Sequence, residues 1–395
     1  MDYELIAAPE DEFGHLDEPP LPHFDAPPDE EELFARLRLA RSRRVGPATY
    51  RRLMAEHGSA RRALSALPEI ARAAGASGYA PAPEAEIRAE MAAGRRGQAR
   101  LLTLGAPDYP ARLAQVSDAP PVLWAQGDPA RAAGPAIAVV GTRNASSLAL
   151  RMARALGRDL AAQGLLVVSG LARGVDTAAH TAALDAQGAG TAAVHGGGLD
   201  RIYPAENAAL AARIAAEGLA LSERPFGYAP QGRDFPRRNR IVSGLAQAVI
   251  VVEAAARSGS MITARDALDQ GREVMAVPGH PFDTRASGCN MLLRDGATLV
   301  RGVDDVLEAL ATLGPGPAAV RPPPRDDAPP PVVETTGLRS RILSLLSPVP
   351  VSEDQLLRDL ASGGAASAPQ LSAELSELEM SGEIARRPGG GLVRV

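Results

Sequence analysis

The 395-residue sequence contains no lysine, and all 42 of its basic residues are arginine. A Walker-type phosphate loop, a Schiff-base enzyme and a lysine general base are thereby excluded, because each needs an ammonium group. Cysteine is almost as scarce. Cys289 stands alone, which excludes an internal disulfide, a thiolate zinc cluster and CxxC redox chemistry and fits a reducing, cytosolic compartment. Aromatic residues amount to one Trp, six Tyr and six Phe, too few for extensive stacking of bases along a surface. No run approaches the ~20 apolar residues of a membrane-spanning helix. The acid-rich start is the opposite of a secretory or transit signal. These absences together predict a soluble, cytoplasmic protein with no membrane partner.

The net charge of −5 conceals an uneven distribution of sign. The first 32 residues hold twelve acids and no arginine, so the rest of the chain carries 42 arginines against 35 acids. Residues 1–28, interrupted by Pro19, Pro20, Pro22, Pro27 and Pro28, lack the apolar content to offset the entropy of ordering and are predicted to be a disordered acidic tail. Over residues 29–98 apolar positions recur at helical spacing, as in Leu33, Leu37 and Ala40 and then Leu53, Ala60, Leu64 and Leu67, which predicts a small helical domain. Within it Gly46-Pro47 opens a helix just after Arg43 and Arg44, as in helix-hairpin-helix modules. The second glycine of such hairpins is missing, and arginines solvating helix ends are the simpler account.

Between residues 99 and 313 short apolar runs alternate with helical ones. The segments 136–140, 165–169, 191–195, 219–222, 248–253, 273–277 and 298–300 read as strands. Ile137-Ala138-Val139-Val140 and Val249-Ile250-Val251-Val252 are apolar on both faces, the mark of strands covered by helices on each side. The helices between them are expected to stop at left-handed glycines, Gly164, Gly188, Gly218 and Gly271. The fold class that follows is α/β, an extended Rossmann-like, doubly wound parallel sheet whose ligands bind beyond the carboxyl ends of the strands. Residues 314–335 form a proline-rich linker. In residues 336–395, Leu338, Ile342, Leu345 and Leu346 mark one helix, a Ser352/Gln355 capping box opens a second, and Leu371, Leu375 and Leu378 mark a third. A glycine-tipped hairpin closes the chain, and the whole describes a winged helix. Its third helix holds Glu374, Glu377 and Glu379 and no arginine, which duplex phosphates would repel, so a protein-docking role is favoured over a transcription factor.

The candidate site residues lie in the loops that follow the strands. Gly141-Thr142-Arg143 leads into a helix and combines close backbone approach, free amides and a guanidinium fork, all suited to a phosphate. Ser169-Gly170-Leu171-Ala172-Arg173-Gly174 follows the second strand, His195-Gly196-Gly197-Gly198 the third, and Ser258-Gly259-Ser260 the fifth. One such loop is ordinarily a turn, whereas four after successive parallel strands favour an anionic ligand. The densest charge is Arg233-Asp234-Phe235-Pro236-Arg237-Arg238-Asn239-Arg240, with four arginines and one acid. Arg143 and Arg240 are each expected in a polar loop, acting on ligand and not on folding. No G-x-S-x-G elbow accompanies His195-Gly196-Gly197-Gly198, so esterase chemistry is not supported. No third ligand accompanies Asp176 and His180, for which helix capping by Asp176 is the simpler role. Cys289 reads as a small core residue. No catalytic residue, metal or cofactor is expected.

The ordered motifs Val140-Gly141-Thr142-Arg143, Ser169-Gly170-Leu171-Ala172-Arg173-Gly174-Val175-Asp176, Gly198-Leu199-Asp200-Arg201-Ile202-Tyr203-Pro204-Ala205-Glu206-Asn207 and Phe235-Pro236-Arg237-Arg238-Asn239-Arg240 closely resemble the DNA-processing protein A (DprA/Smf) family. The match continues through Ser258-Gly259-Ser260-Met261, Val277-Pro278-Gly279 and Gly288-Cys289-Asn290, covering roughly residues 100–300. The resemblance implies a protein that binds single-stranded DNA, protects incoming strands in natural transformation, forms a homodimer through its sheet domain and helps load a RecA-type recombinase. It also implies a SAM-like N-terminal helical domain and a C-terminal winged helix as known variants. By the same resemblance the nucleic-acid contacts map to Arg143, to Ser169, Gly170, Arg173 and Gly174, and to Phe235, Arg237, Arg238, Asn239 and Arg240, beside which the glycine-rich loops contribute Gly141, Ser258, Gly259 and Ser260 as candidates. His195 stands where a smaller or apolar residue is expected and receives no role. The competing class is a Rossmann-like phosphoribohydrolase, but Ala256-Arg257-Ser258-Gly259-Ser260-Met261-Ile262-Thr263 lacks the P-G-G-x-G-T-x-x-E pattern and its glutamate.

Overall fold

The computed structural model describes residues 27–75, 77–312, 337–347, 349–361, 368–387 and 391–394. Almost all of the predicted acidic tail and the whole of the predicted proline-rich linker lie outside the described residues. Four helices come first: α1 (Glu30–Arg41), α2 (Pro47–His57), α3 (Ala60–Ala73) and α4 (Glu84–Arg96). Asp29 caps α1 by accepting from the Glu32 amide at 2.6 Å, and Pro47 occupies the first turn of α2, where its missing N–H is no loss.

The second unit is a nine-stranded sheet. Its strands are β1 (Arg100–Thr103), β2 (Val122–Gly127), β3 (Ala136–Val140), β4 (Leu166–Ser169), β5 (Thr191–Val194), β6 (Leu219–Ser222), β7 (Ala248–Val251), β8 (Glu273–Ala276) and β9 (Thr298–Leu299). Between them run α5 (Ala111–Ala114), α6 (Ser147–Ala162), α7 (Val175–Asp185), α8 (Ala208–Glu217), α9 (Asp234–Leu245), α10 (Gly259–Asp269), α11 (Ser287–Arg294) and α12 (Val303–Thr312). The order across the sheet is β1-β2-β6-β5-β4-β3-β7-β8-β9. From β6 to β9 every pairing is parallel. The two strands not foreseen, β1 and β2, extend it antiparallel.

Alternation along β3 and β7 explains the two covering layers. Ile137, Val139, Ala248 and Ile250 point to the side of α6, α7 and α12, whereas Ala138, Val140, Val249 and Val251 point to the side of α9, α10 and α11. Each buried Val or Ile contributes about 1.5–3 kcal/mol, so these two runs hold the centre of the sheet in place. Of the four predicted helix stops, Gly164 and Gly271 have positive φ. Gly188 and Gly218 do not. A Cβ on Gly188 would lie 1.9 Å from the Ala161 carbonyl oxygen and one on Gly218 2.5 Å from that of Thr191, so close approach is what these two glycines serve.

The helical unit is seated on β1 and β2. The Trp124 indole donates to Glu90 at 2.8 Å, and a Cβ on Gly94 would collide with the Trp124 ring at 2.2 Å. The last unit comprises α13 (Leu338–Leu345), α14 (Glu353–Ala361), α15 (Ala368–Met380) and the hairpin β10 (Ile384–Arg386) with β11 (Leu392–Arg394), a winged helix with its own apolar core. It docks on the sheet domain through Asp359. That carboxylate is buried and accepts from the Ser147 hydroxyl and from Arg154 at 3.1 Å. Arg285 donates to the carbonyls of Ser344 and Leu346 at 3.0 and 2.9 Å, holding the end of α13.

Candidate nucleic-acid interface

Strand β3 lies between β4 and β7, so the chain runs outward from β3 in one direction to β6 and then crosses back to β7, β8 and β9. This reversal opens a crevice beyond the carboxyl ends of β3 and β7, where ligands of doubly wound sheets bind. A cleft of about 740 Å³ occupies it, lined among others by Gly141, Arg143, Gly170, Phe235 and Ser258.

Its floor is the loop after β4. Leu171 sits there at a φ of 57°, uncommon for a residue other than glycine, and the surrounding groups hold it. The buried Asp176 carboxylate accepts from the Gly170 amide at 3.0 Å and the Ala172 amide at 3.2 Å. His180 Nε2 accepts from the Leu171 amide at 3.3 Å, and Asn207 donates to the Leu171 carbonyl at 2.9 Å. The amides that were expected to face an anion are therefore occupied from within. Burial pushes the Asp176 carboxyl above its ordinary range, with Arg238 pulling the other way. Burial, reinforced by the neighbouring His195 and Arg238, holds His180 down to about 3, so it stays neutral and acts as an acceptor. Its Nδ1 therefore donates to the Thr191 hydroxyl at 2.7 Å. Asp176 is thus a loop clasp, which differs from the helix cap expected of it.

The cationic rim is formed by side chains. Arg143 is exposed and its guanidinium lies over the Phe235 ring, 5.3 Å from the centroid. The Phe235 ring in turn meets that of Tyr203 at 5.2 Å. Arg237 is exposed on α9 without itself lining the cleft, whereas Asn239 does line it. Neither Arg143 nor Arg237 makes an ion pair among the described residues, so both charges are available to an anion. On the opposite wall α10 begins at Gly259 with no side chain capping it, and the Gly259 and Ser260 amides donate to nothing among the described residues. An uncapped N-terminus adds a further, partial positive charge.

Five of the expected contact residues are placed otherwise. The Ser169 hydroxyl is buried and donates to the Val139 carbonyl at 2.6 Å. Arg173 does not line the cleft; it pairs with Glu206 at 2.8 Å. Gly174, at a φ of 74°, packs under the backbone of Thr142 and Arg143, where a Cβ would meet the Thr142 carbonyl at 2.4 Å. Arg238 reaches the cleft floor but is buried, donating to the carbonyls of Gly170 and Val194. Burial pulls its guanidinium down to about 10, with Asp176 opposing. Arg240 is not in a loop. It stands within α9 and points away, pairing with Glu223 at 2.8 Å and Asp118 at 3.3 Å. Tyr203 lines both the cleft and a small recess beside it, and His195 lines the recess; the loop of His195 is one of the four glycine-rich loops of the sequence, which gives the histidine itself no role, and Tyr203 lies in the motif Gly198 to Asn207.

Glu253, the carboxylate nearest the phosphoribohydrolase reading, accepts from the Ser146 amide at 2.9 Å and the Ser146 hydroxyl at 2.7 Å, and so caps the entry to α6 instead of facing the cleft. This occupancy also removes the α6 N-terminus as an anion site. Cys289 is fully buried against β7, and burial pushes its thiol up to about 12. Among the described residues no group of three or more His, Cys, Asp or Glu could hold a metal ion, and no helix is long and apolar enough to cross a membrane.

Comparison with known proteins adds independent findings. The model of DNA recombination-mediator protein A matches residues 100–311, that of a DprA-like N-terminal HHH domain residues 30–93, and that of a DprA winged helix domain residues 326–390. The chain is 41% identical over 221 residues to DNA processing protein DprA of Bacillus subtilis, covering 56% of this chain and 74% of that one. It is 39% identical over 288 residues to protein Smf of Escherichia coli, covering 71% and 74% respectively. DNA processing protein A of Streptococcus pneumoniae aligns with a TM-score of 0.53 at 39% identity, covering 57% of this chain and 77% of that one. The Helicobacter pylori protein, whose structure was described for its single-stranded DNA binding mode, aligns with a TM-score of 0.50 at 31% identity, covering 54% and 96%. A sheet domain matched along its whole extent, flanked on each side by the family's own accessory modules, leaves one conclusion: the chain belongs to the DNA recombination-mediator protein A family, DprA/Smf.

Proposed function

We propose that this chain binds single-stranded DNA along the cleft at the β3/β7 switch point and acts without consuming nucleotide. The observation that carries the reading is the meeting in one crevice of the unneutralised Arg143, the Phe235 ring and the uncapped start of α10, with a second unneutralised arginine, Arg237, exposed on the same first turn of α9 as Phe235. Guanidinium and amide donors read phosphate, not base edges, so binding is largely independent of sequence. The single-stranded DNA binding described for the Helicobacter pylori relative supports the same ligand. With four to six phosphates engaged, the logarithmic salt slope is roughly −3 to −4, at ~0.7 per phosphate for single strands. Fluorescence anisotropy against single-stranded DNA, blunt duplex and mononucleotides tests this, and equal affinity for blunt duplex would overturn it. Release of ribose phosphate from nucleotides, lost on Glu253→Gln, would instead favour the phosphoribohydrolase reading.

The role we infer is that of the family: protecting incoming strands in natural transformation and loading a RecA-type recombinase as a homodimer formed through the sheet domain. The segment 273–295 is the proposed contact. Met291 and, just beyond it, Leu299 on the edge strand β9 are exposed apolar residues, 38% and 45% accessible, which supports that placement. Light scattering at micromolar concentration checks the dimer, and the rate of recombinase assembly on single strands checks the loading.

A further inference from the structure

The cleft and its rim carry more positive charge than their own carboxylates balance. Arg143 and Arg237 have no ion pair among the described residues, and neither do the exposed Arg233 and Arg257, which adjoin the lining residues Gly232 and Ser258. Among the described residues the lining holds one carboxylate, Asp176, and that one is buried and taken up by the Gly170 and Ala172 amides. The uncapped start of α10 adds further partial positive charge. Like charges gathered around one concavity raise the local potential, so the cleft favours an anionic occupant. The Phe235 and Tyr203 rings, in contact with each other, give that occupant an aromatic surface as well.

A segment of matching chemistry belongs to the same chain. Residues 1–26, ahead of the described ones, hold eight acids and no arginine. Glu10-Asp11-Glu12-Phe13 and Phe24-Asp25 set an aromatic ring directly beside carboxylates, and anions interleaved with flat rings are what a single strand of DNA presents to a protein. The segment is rooted close to the cleft. Leu37 of α1 shares an apolar cluster with Leu171 on the cleft floor, and Glu30, which opens α1, lies about 10 Å from Leu37 along the helix axis, at ~1.5 Å per residue. The 26 residues ahead of Pro27 span up to about 90 Å when extended, so their acids reach the cleft with length to spare. Cations at the start of α1 are already engaged, Arg61 with Asp29 and Glu31 and Arg95 with Glu30.

We propose that residues 1–26 dock in the cleft of their own chain as a stand-in for single-stranded DNA, their carboxylates meeting the unneutralised arginines of the rim and a phenylalanine ring meeting Phe235. The inference rests on the single-stranded DNA reading above and adds a gate to it. DNA must displace the segment, so a strand engaging several phosphates at once enters while a mononucleotide is turned away. Tethering holds the segment at an effective concentration in the millimolar range, and a cleft left open about a tenth to a third of the time binds DNA about three- to tenfold more weakly. Salt screens the segment's contacts as it does those of DNA, so the gate weakens as ionic strength rises.

The test compares the full chain with a full-length variant carrying E10Q, D11N, E12Q, D17N and E18Q. In anisotropy titrations with oligo-dT the variant is expected to bind about three- to tenfold tighter at low salt, with a steeper salt slope, and the two forms are expected to converge as salt rises. A peptide of residues 1–26 at about 1 mM is expected to restore the weaker binding to the variant. A second full-length variant, Phe13→p-benzoylphenylalanine, is expected to crosslink on irradiation to the segments around Arg143 and Phe235 and to lose that crosslink when oligo-dT is added. Tighter binding by the neutralised variant with an inert peptide and no crosslink in the cleft means that the segment only repels DNA, which overturns the proposal. Crosslinks confined to the helical unit around Arg43 and Arg44 overturn it as well. Binding of oligo-dT by neither form, with the cleft crosslink present, overturns the single-stranded DNA reading and leaves the docking in place.

Discussion

The Arg143 guanidinium rests on the face of the Phe235 ring, 5.3 Å from its centroid, although the two residues come from the loop after β3 and from the first turn of α9. The contact orients the arginine without neutralising it, since an aromatic face attracts a cation while leaving the N–H fork free for phosphate oxygens. Arg240, three residues after Arg237 in the same helix, is in the contrary position, with carboxylates of Glu223 and Asp118 around it. Two arginines that read alike in sequence are thus expected to fail in different ways.

Arg143→Ala removes charge-assisted bonds worth about 1.5–3 kcal/mol each, so affinity for single-stranded DNA drops at least tenfold while stability changes by about 1 kcal/mol or less, as for ordinary surface positions. Arg143→Lys, keeping charge but losing the planar fork, falls between. Anisotropy and thermal unfolding on the same samples separate the two effects.

Arg240→Ala acts on stability. Glu223 loses its close partner in a half-buried setting, at a cost of about 1–3 kcal/mol, and DNA affinity stays within about twofold of wild type because the side chain faces away from the cleft. Urea unfolding combined with the binding assay checks this. Normal stability with weakened binding would return Arg240 to the interface.

The buried histidines set the response to acid. His180 and His195 are held at about 3 and about 4 in the folded protein, against about 6.5 when unfolded. Folded values below unfolded ones mean that the unfolded chain takes up protons first, so the stability from neutral burial is present above pH ~6.5 and is lost as pH falls toward the folded values. Between pH 7.5 and 5.5 each histidine costs about 1.4 kcal/mol. Chemical denaturation at the two pH values should show their joint share, and His195→Gln should remove about half of it.

Asp359 fastens the winged helix to α6 through Ser147 and Arg154. Asp359→Ala deletes the acceptor at a buried contact, and amide exchange in α14 is expected to accelerate by tenfold or more while β3 and β7 remain protected, since their cores are separate. Unchanged protection of α14 would mean that the fastening lies elsewhere, with Arg285 the next candidate.

Much of the architecture was legible in local pattern. Ile137 to Val140 and Val249 to Val252 are apolar on both faces, and only a strand covered on each side tolerates that. The seven strands read in this way correspond to β3 through β9, and the three helices and hairpin at the end correspond to α13, α14, α15, β10 and β11. The strands β1 and β2 escaped because neither alternates cleanly; β2 pairs with the neighbouring edge of β6 and β1 with β2, which no local window contains.

At the site, composition and local pattern set the available chemistry: arginine in place of lysine as the cation, glycine turns after parallel strands, and one phenylalanine within an arginine run. Where each group points follows from packing. Arg237, Arg238 and Arg240 share one helix, and successive residues on a helix are turned by about 100°, so packing of α9 on the sheet sends the first to solvent, the second beneath the Gly170 loop and the third to Glu223. Packing of α7 fills the loop amides with Asp176 and His180, which leaves the rim of the cleft to carry the charge.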